Sequence, residues 1–386
     1  MQLGALHSTL ADLHAHAAAA TAAHFPGPAI ANAKHQLRDW IETQLGDLRE
    51  VEHLQAFSDR LNEKLNSVDI AVVPDAAGNE NLLGTLGSVR IRSESGLLIV
   101  MAAVGVIECQ FDESVYGYKR VNDHWQRIWE SQQDDYSPKT YAPQDIFTVR
   151  VWQSYKDGRE DGPAFVMTLG NHWGCVSAWH PVYYRVWRVD SAGFKLLIEG
   201  SEIAWLRADA YAVGSIGQDS RNANAPVDVL IEFTERSVDP GVHNREAIRH
   251  FLIEGDRVRR VDPVALSPRD FVDEWLTHGW KESARWSASS ALQKWNRALR
   301  ADDVAVEFGG TTMHCSSPDL WQVVVEPKNA GKNFEPEPNV YFLVRWRPPY
   351  HFTMTNIGNK PWPRCSEEDP DADVWRTLFS EQGWRQ

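Results

Sequence analysis

The sequence predicts a mainly β protein: about four four-stranded antiparallel meanders in an array, with an N-terminal amphipathic helical segment and a helical insertion before the last repeat. Three observations carry that expectation. The stretch SVYGYKRVNDHWQRIWES (114–131) reads as two alternating apolar runs joined by a three-residue polar turn, which is the signature of a hairpin. Comparable hairpins recur at 181–201, 246–265 and 339–358. Each is preceded, at similar offsets, by two more strand-like runs.

The first 25 residues, MQLGALHSTLADLHAHAAAATAAHF, lack the basic start of a secretory signal and read as a mobile Ala-rich terminus. His7, His14, His16 and His24 have no acidic company, so no metal site is expected there. Over 29–65, Leu37, Trp40, Ile41, Leu48, Val51, Leu54 and Leu61 fall near helical spacing, with charged residues between them. That predicts one or two amphipathic helices lying on the β body, and a dimerising helix is the competing use of the same stripe.

The strands follow in order. A lone run at 67–73 precedes the repeats. The first two strands of each unit are expected at 87–93 and 96–106, 145–154 and 164–170, 210–217 and 227–233, and 304–310 and 319–326. Successive units lie about 64–68 residues apart and then about 93, the longer step containing the helical insertion. The insertion opens on SPRDFVDEWL, with Ser267 as N-cap, Pro268 at the first helical position and Asp270 in the first turn, and should break near Gly279. A short docked helix is expected around Trp375 and Phe379 in the tail. A four-stranded meander at regular period is the pattern of a propeller blade, so the array is expected to be β-propeller-like. A pair of sandwiches and an open stack are the competing arrangements. The segments are then 1–66 (helical), 67–358 (β, with insertion 267–301) and 359–386 (docked tail).

Composition narrows function by exclusion. The chain has 386 residues and a net charge of −14, from 53 acids against 39 bases, which disfavours nucleic acid and anionic membranes as partners. No stretch is apolar enough to span a bilayer, so a soluble protein is expected, with its compartment open. The 17 Trp, 10 Tyr and 14 Phe suit a strand-built core. Cys109 with Cys175, in equivalent connections, and Cys315 with Cys365 are the pairs that disulfides would join in an exported protein, with two buried free thiols the competing state of the first; the second would pin the tail to the body.

Site residues are expected in the connections between second and third strands, which look long and polar: 107–113, 171–180, 234–245 and 327–338. The first supplies Asp112 and Glu113, and the second His172, Trp173, Trp179 and His180. The third supplies Asp239, His243, Asn244 and Arg245, with Glu246 beside it. Carboxylates, imidazoles and indoles gathered on one face would suit a polar, ring-bearing ligand such as a sugar, or an acid/base pair. Each residue taken singly has a plainer use, in bonding nearby backbone or closing a loop. Asp369, Asp371 and Asp373 sit at calcium-loop spacing, but Val374 and Ser380 occupy the positions that need Gly and Glu. No nucleophile elbow, zinc motif or phosphate loop occurs, and no cofactor or metal is expected.

Through YYRVWRVDSAGFKLLIEG and YGYKRVNDHWQRIWES the chain resembles blades of bacterial β-propeller proteins over about 86–358. It lacks the Trp-Asp ending of WD40 repeats, the paired glycines of kelch repeats and the Asp-box turn of sialidase-type propellers. No family's catalytic residues carry over. The expected function is therefore a binding protein presenting a loop-rich face to a ligand or protein partner. A glycoside hydrolase using loop carboxylates, and an assembly protein joined through 29–65, are the alternatives.

Overall fold

A computed structural model describes residues 2–15, 26–48, 53–70, 82–107, 110–136, 144–154, 162–171, 179–190, 193–205, 213–217, 225–241, 244–261, 265–301, 304–309, 312–328, 339–348 and 351–367. The chain forms two compact units, Met1–Glu202 and Ile203–Gln386.

In the first unit, helices α1 (Gln2–Ala15), α2 (Gly27–Leu45) and α3 (Leu54–Asn66) precede a sheet of β1 (Arg90–Glu94), β2 (Leu97–Ile107), β3 (Gln110–Val121) and β4 (His124–Ser131), in that order and antiparallel throughout. Of the terminus expected to be mobile, residues 2–15 are helical instead, and 16–25, with His16 and His24, lie outside the described residues. Leu6, Leu10 and Leu13 recur at helical spacing and are buried among the side chains of α2, α3 and the sheet. His7 and His14 bond the carbonyls of Val68 and Leu83, uses that need no metal. Gly84, at φ +81°, lets the chain pass α1 so closely that a Cβ there would lie 2.5 Å from the Leu10 carbonyl. The 67–73 run does not begin as a strand: Ser67–Ile70 is a turn after α3, and 71–73 lies outside the described residues.

Period-2 alternation gives the first sheet two apolar faces. Leu98, Val100, Ala102, Val104, Tyr116 and Tyr118 meet the three helices. Leu97, Ile99, Met101, Val115 and Trp129 meet the next sheet. The stripe over 29–65 is thus spent inside the chain, where Ile30, Leu37, Trp40, Ile41, Phe57, Leu61 and Leu65 are buried, so it is not an exposed dimerising face. The turn at 122–123 has two residues, Asn122 (φ 48°) and Asp123 (φ 64°), both left-handed as a type I′ hairpin requires.

The second meander comprises β5 (Asp145–Gln153), β6 (Ala164–Asn171), β7 (Trp179–Asp190) and β8 (Gly193–Trp205). Ile146, Val149, Val151, Val166, Trp187 and Val189 face the first sheet. The edge of β5 is capped by side chains of the first sheet: Glu94 accepts from Val151 N at 2.9 Å, Ser95 donates to Val151 O at 3.1 Å, and Arg92 donates to Val149 O.

The second unit holds the other two meanders. One is β9 (Val213–Gly217), β10 (Val227–Arg236), β11 (Asn244–Glu254) and β12 (Arg257–Val261). After it come α4 (Pro268–Thr277), α5 (Trp280–Ser283), two 3₁₀ turns and α6 (Gln293–Leu299). Ser267 caps α4 by accepting from Asp270 N at 3.1 Å, and the break falls at His278–Gly279. The last sheet is β17–β16–β15–β14–β18 with β13 also on β15, from β13 (Ala305–Phe308), β14 (Met313–Cys315), β15 (Leu320–Lys328), β16 (Val340–Arg347), β17 (His351–Gly358) and β18 (Cys365–Glu367). Phe271, Trp275 and Leu276 of α4 pack on Val325, Phe342, Phe352 and Met354 of this sheet. A Cys315–Cys365 disulfide ties β18 to β14. Cys109, Cys175 and the tail around Trp375 lie outside the described residues.

The architecture is therefore mainly β, in several antiparallel sheets with helices packed on two of them. No described helix is long and apolar enough to cross a membrane.

Candidate functional site

The first unit holds a groove of about 1020 Å³ between its two sheets. Strand direction explains its position. It opens at the end where β3, β5 and β7 finish and β2, β4, β6 and β8 begin, so the tips of the β3–β4 and β7–β8 hairpins flank it. At those tips Val121 (41% exposed) and Phe194 (49% exposed) leave apolar surface in water. One wall carries Lys119 and Gln126, direct cross-strand partners; Arg127 and Glu130 border it, with their side chains on the helix-facing side beside Tyr118 and Tyr116. The other carries Gln153, Arg188 and Asp190. Trp129, packed edge-on to Trp187 at 5.1 Å, belongs both to the lining and to the apolar layer behind it.

The two carboxylates that border the groove lie on the outer faces of the sheets and pair with arginines there. Arg188 donates to Asp190 at 2.8 and 3.1 Å. Glu130 lies 3.5 Å from Arg127 and 3.6 Å from Arg38. Arg127 also bonds Glu42 of α2 at 2.9 Å, which anchors that wall to the helical layer. Polar groups between apolar lips can read the edges of a ligand while its flat faces pack on Phe194.

The connections expected to form the site stand at the other end of these strands. The first is no loop: β2 runs to Ile107 and β3 starts at Gln110, placing Asp112 opposite Val104 and Glu113 opposite Ala103. IECQFDE reads as polar in sequence, but its polar residues are inside the sheet and bonded. Asp112 is fully buried and accepts from Lys34 Nζ at 3.1 Å, from the Tyr136 hydroxyl and from Gln144 N at 3.1 Å. Lys34, also buried, spends its other protons on Gln133 O (2.9 Å) and the Tyr136 hydroxyl (3.0 Å). Asp112 thereby fastens α2 to the sheet. Glu113 accepts from Arg90 at 2.6 Å and from Ile146 N at 2.9 Å; burial pushes its carboxyl up to about 7, against the pull of Arg90. His180 is buried in β7. His172, Trp173, His243 and the side chain of Trp179 lie outside the described residues.

In the second unit, Asn244 begins β11 exposed, and Glu246 accepts a long 3.5 Å bond from Thr234. Arg245 instead enters a buried charge cluster beneath the β10–β11 connection. It pairs with Glu235, its cross-strand neighbour, with Asp273 at 3.2 Å and with Glu274. Arg249 bonds Glu235 at 2.8 Å and stands 3.4 Å from Glu274. Asp273 also accepts from Ser237 Oγ and, at 3.1 Å, from Val238 N. Asp239 accepts from Gly241 N and Phe308 N at 2.7 Å each, bracing the turn. Burial pushes Asp270, at the start of α4, up to about 6. Sequence reading missed Arg249, Asp273 and Glu274, because nothing local brings a strand's arginines to a helix 25 residues on. Among the described residues no group of three His, Cys, Asp or Glu is arranged to hold a metal ion.

No family model matches the chain, and no curated protein matches it. Solved structures overlap it loosely. One described as a glycoside hydrolase is 10% identical, with 80% of this chain and 98% of that one covered, at a TM-score of 0.24. The xylan beta-1,4-xylosidase of Bacillus halodurans C-125 is 9% identical, with 76% of this chain and 49% of that one covered, at 0.22. The alpha-L-arabinofuranosidase of Lactobacillus brevis is 6% identical, with 75% of this chain and 82% of that one covered, at 0.23. Overlaps of this size leave fold and function to be argued from the chain itself.

Proposed function

We propose that this chain is a binding protein that holds a saccharide in the groove of its N-terminal unit. The observation that carries the reading is the groove itself: two hairpin tips with half-exposed Val121 and Phe194, over walls of amides and charged groups. A sugar presents apolar ring faces and hydroxyl edges together, and this lining offers a partner for each. The binding face thus sits at the hairpin tips rather than at the second-to-third strand connections. Under the same reading the four meanders are a propeller-like array spanning 67–358.

Titration calorimetry with a panel of neutral hexose and pentose oligosaccharides tests the proposal. Binding should weaken about fivefold in Phe194→Ala, the equivalent of about 1 kcal/mol for a lost ring contact. Absence of binding to every probe, or binding indifferent to Phe194, refutes it. A hydrolytic version would need two carboxylates facing each other across the groove. Glu130 shares the helix-facing side of its sheet with its cross-strand partner Tyr116, and Asp190 alternates with the inward Val189, which disfavours it.

A further inference from the structure

His278 ends α4 and touches two carboxylates. Its Nε2 lies 3.0 Å from Glu274 Oε1, and its Nδ1 lies 2.5 Å from Glu282 Oε2 on α5. A neutral imidazole has one N–H and one lone pair, whereas an ionised carboxylate only accepts. Both contacts are hydrogen bonds only if both ring nitrogens carry protons. A neutral ring would set a lone pair against one of the carboxylates.

The charge balance nearby points the same way. Arg245 and Arg249 bring two positive charges to the buried cluster, and Glu235, Asp273 and Glu274 bring three negative ones. An imidazolium at His278 supplies the missing positive charge through Glu274. The corner it occupies is tightly built: Ser283 Oγ donates to His278 O at 3.0 Å, Asn296 donates to the same oxygen at 3.1 Å, and Trp286 meets the ring edge-on at 5.2 Å. The charged groups facing the ring are Glu274 from α4, Glu282 from α5 and Arg249 from β11; Arg300 of α6 bonds the adjacent Thr277 carbonyl at 3.2 Å.

We infer that His278 is a proton-operated latch: charged, it clamps the α4–α5 corner and completes the buried cluster; uncharged, it releases Glu282 and loosens the brace that Asp273 and Arg245 provide under the β10–β11 connection. The hydrogen bond to Glu274 and the nearby acids raise the His278 pKa above 6.5, against burial and Arg249. A group raised in the folded state stabilises fully below its unfolded value, and that contribution is lost as pH climbs through the folded one. The latch is therefore closed at pH 6.5 and opens on the alkaline side.

The test is a histidine ring titration by NMR on the full chain, with the His278 signal assigned by its loss in His278→Gln. The ring should be charged at pH 6.5 and titrate above it. Glu282→Gln changes an exposed side chain and should lower the midpoint by about half a pH unit, as expected of a surface ion pair. Amide exchange over 237–241, compared at one pH above the midpoint, should be equal in wild type and His278→Gln, and slower in wild type below it. A ring neutral at pH 6.5, a midpoint unmoved by Glu282→Gln, or exchange that ignores His278 at both pH values overturns the inference.

Discussion

Asp112 is where the sequence-based expectation and the fold part most sharply, and one substitution separates them. Asp112→Ala removes the carboxylate that Lys34, Tyr136 and Gln144 share, leaving the Lys34 ammonium buried at 2% exposure without its counter-charge. Breaking a buried pair from one side costs about 3–5 kcal/mol, because the remaining charge has lost both water and partner. With a urea dependence of about 2 kcal/mol per molar, the midpoint of the first unit should fall by about 2 M. The double variant Lys34→Met/Asp112→Leu removes both charges at similar volume and should recover most of that loss. Equilibrium urea unfolding, followed by tryptophan fluorescence with Trp125 and Trp129 in the affected sheet, gives both values. A loss below about 1 kcal/mol in Asp112→Ala, or a double variant no better than the single one, would refute the structural assignment of Asp112.

Two further outcomes are expected in the same unit. Gly84→Ala should destabilise it by about 1–3 kcal/mol, since the residue combines a positive φ with a 2.5 Å approach to the Leu10 carbonyl; an unchanged melting temperature would mean that α1 is not docked there. Glu113 has a folded-state pKa of about 7 against an ordinary 4.5, so its contribution is complete below pH 4.5 and is lost as pH rises through 7, by about 3 kcal/mol in all. Glu113→Gln should flatten that limb of the pH–stability profile, and a variant curve parallel to wild type would contradict the assignment.

The meanders were legible because strand alternation and hairpin turns are local signals. VNDHW announces a polar turn, read as the three residues NDH and closing over only Asn122 and Asp123, and Ser267-Pro268 announces the start of α4 in the same way. The N-terminal helix was not legible: Leu6, Leu10 and Leu13 make a stripe of only three residues, and what stabilises it is the surface of α2 and the sheet. Glu113 and Asp112 misled because a polar run such as QFDES is read as solvent-facing. Their partners, Lys34, Arg90 and Ile146, come from 23 to 78 residues away. The groove was beyond reach for a similar reason, since Val121 and Phe194 become neighbours of one opening only once two hairpins stand side by side.

Which end of the first unit binds is decided by amide hydrogen–deuterium exchange with and without the oligosaccharide that binds best in calorimetry across a panel of neutral hexose and pentose oligomers. Added protection is expected only over 119–130 and 186–196, on the hairpins that flank the groove. Protection at 107–113 and 171–180 instead, or none anywhere, would contradict the proposal.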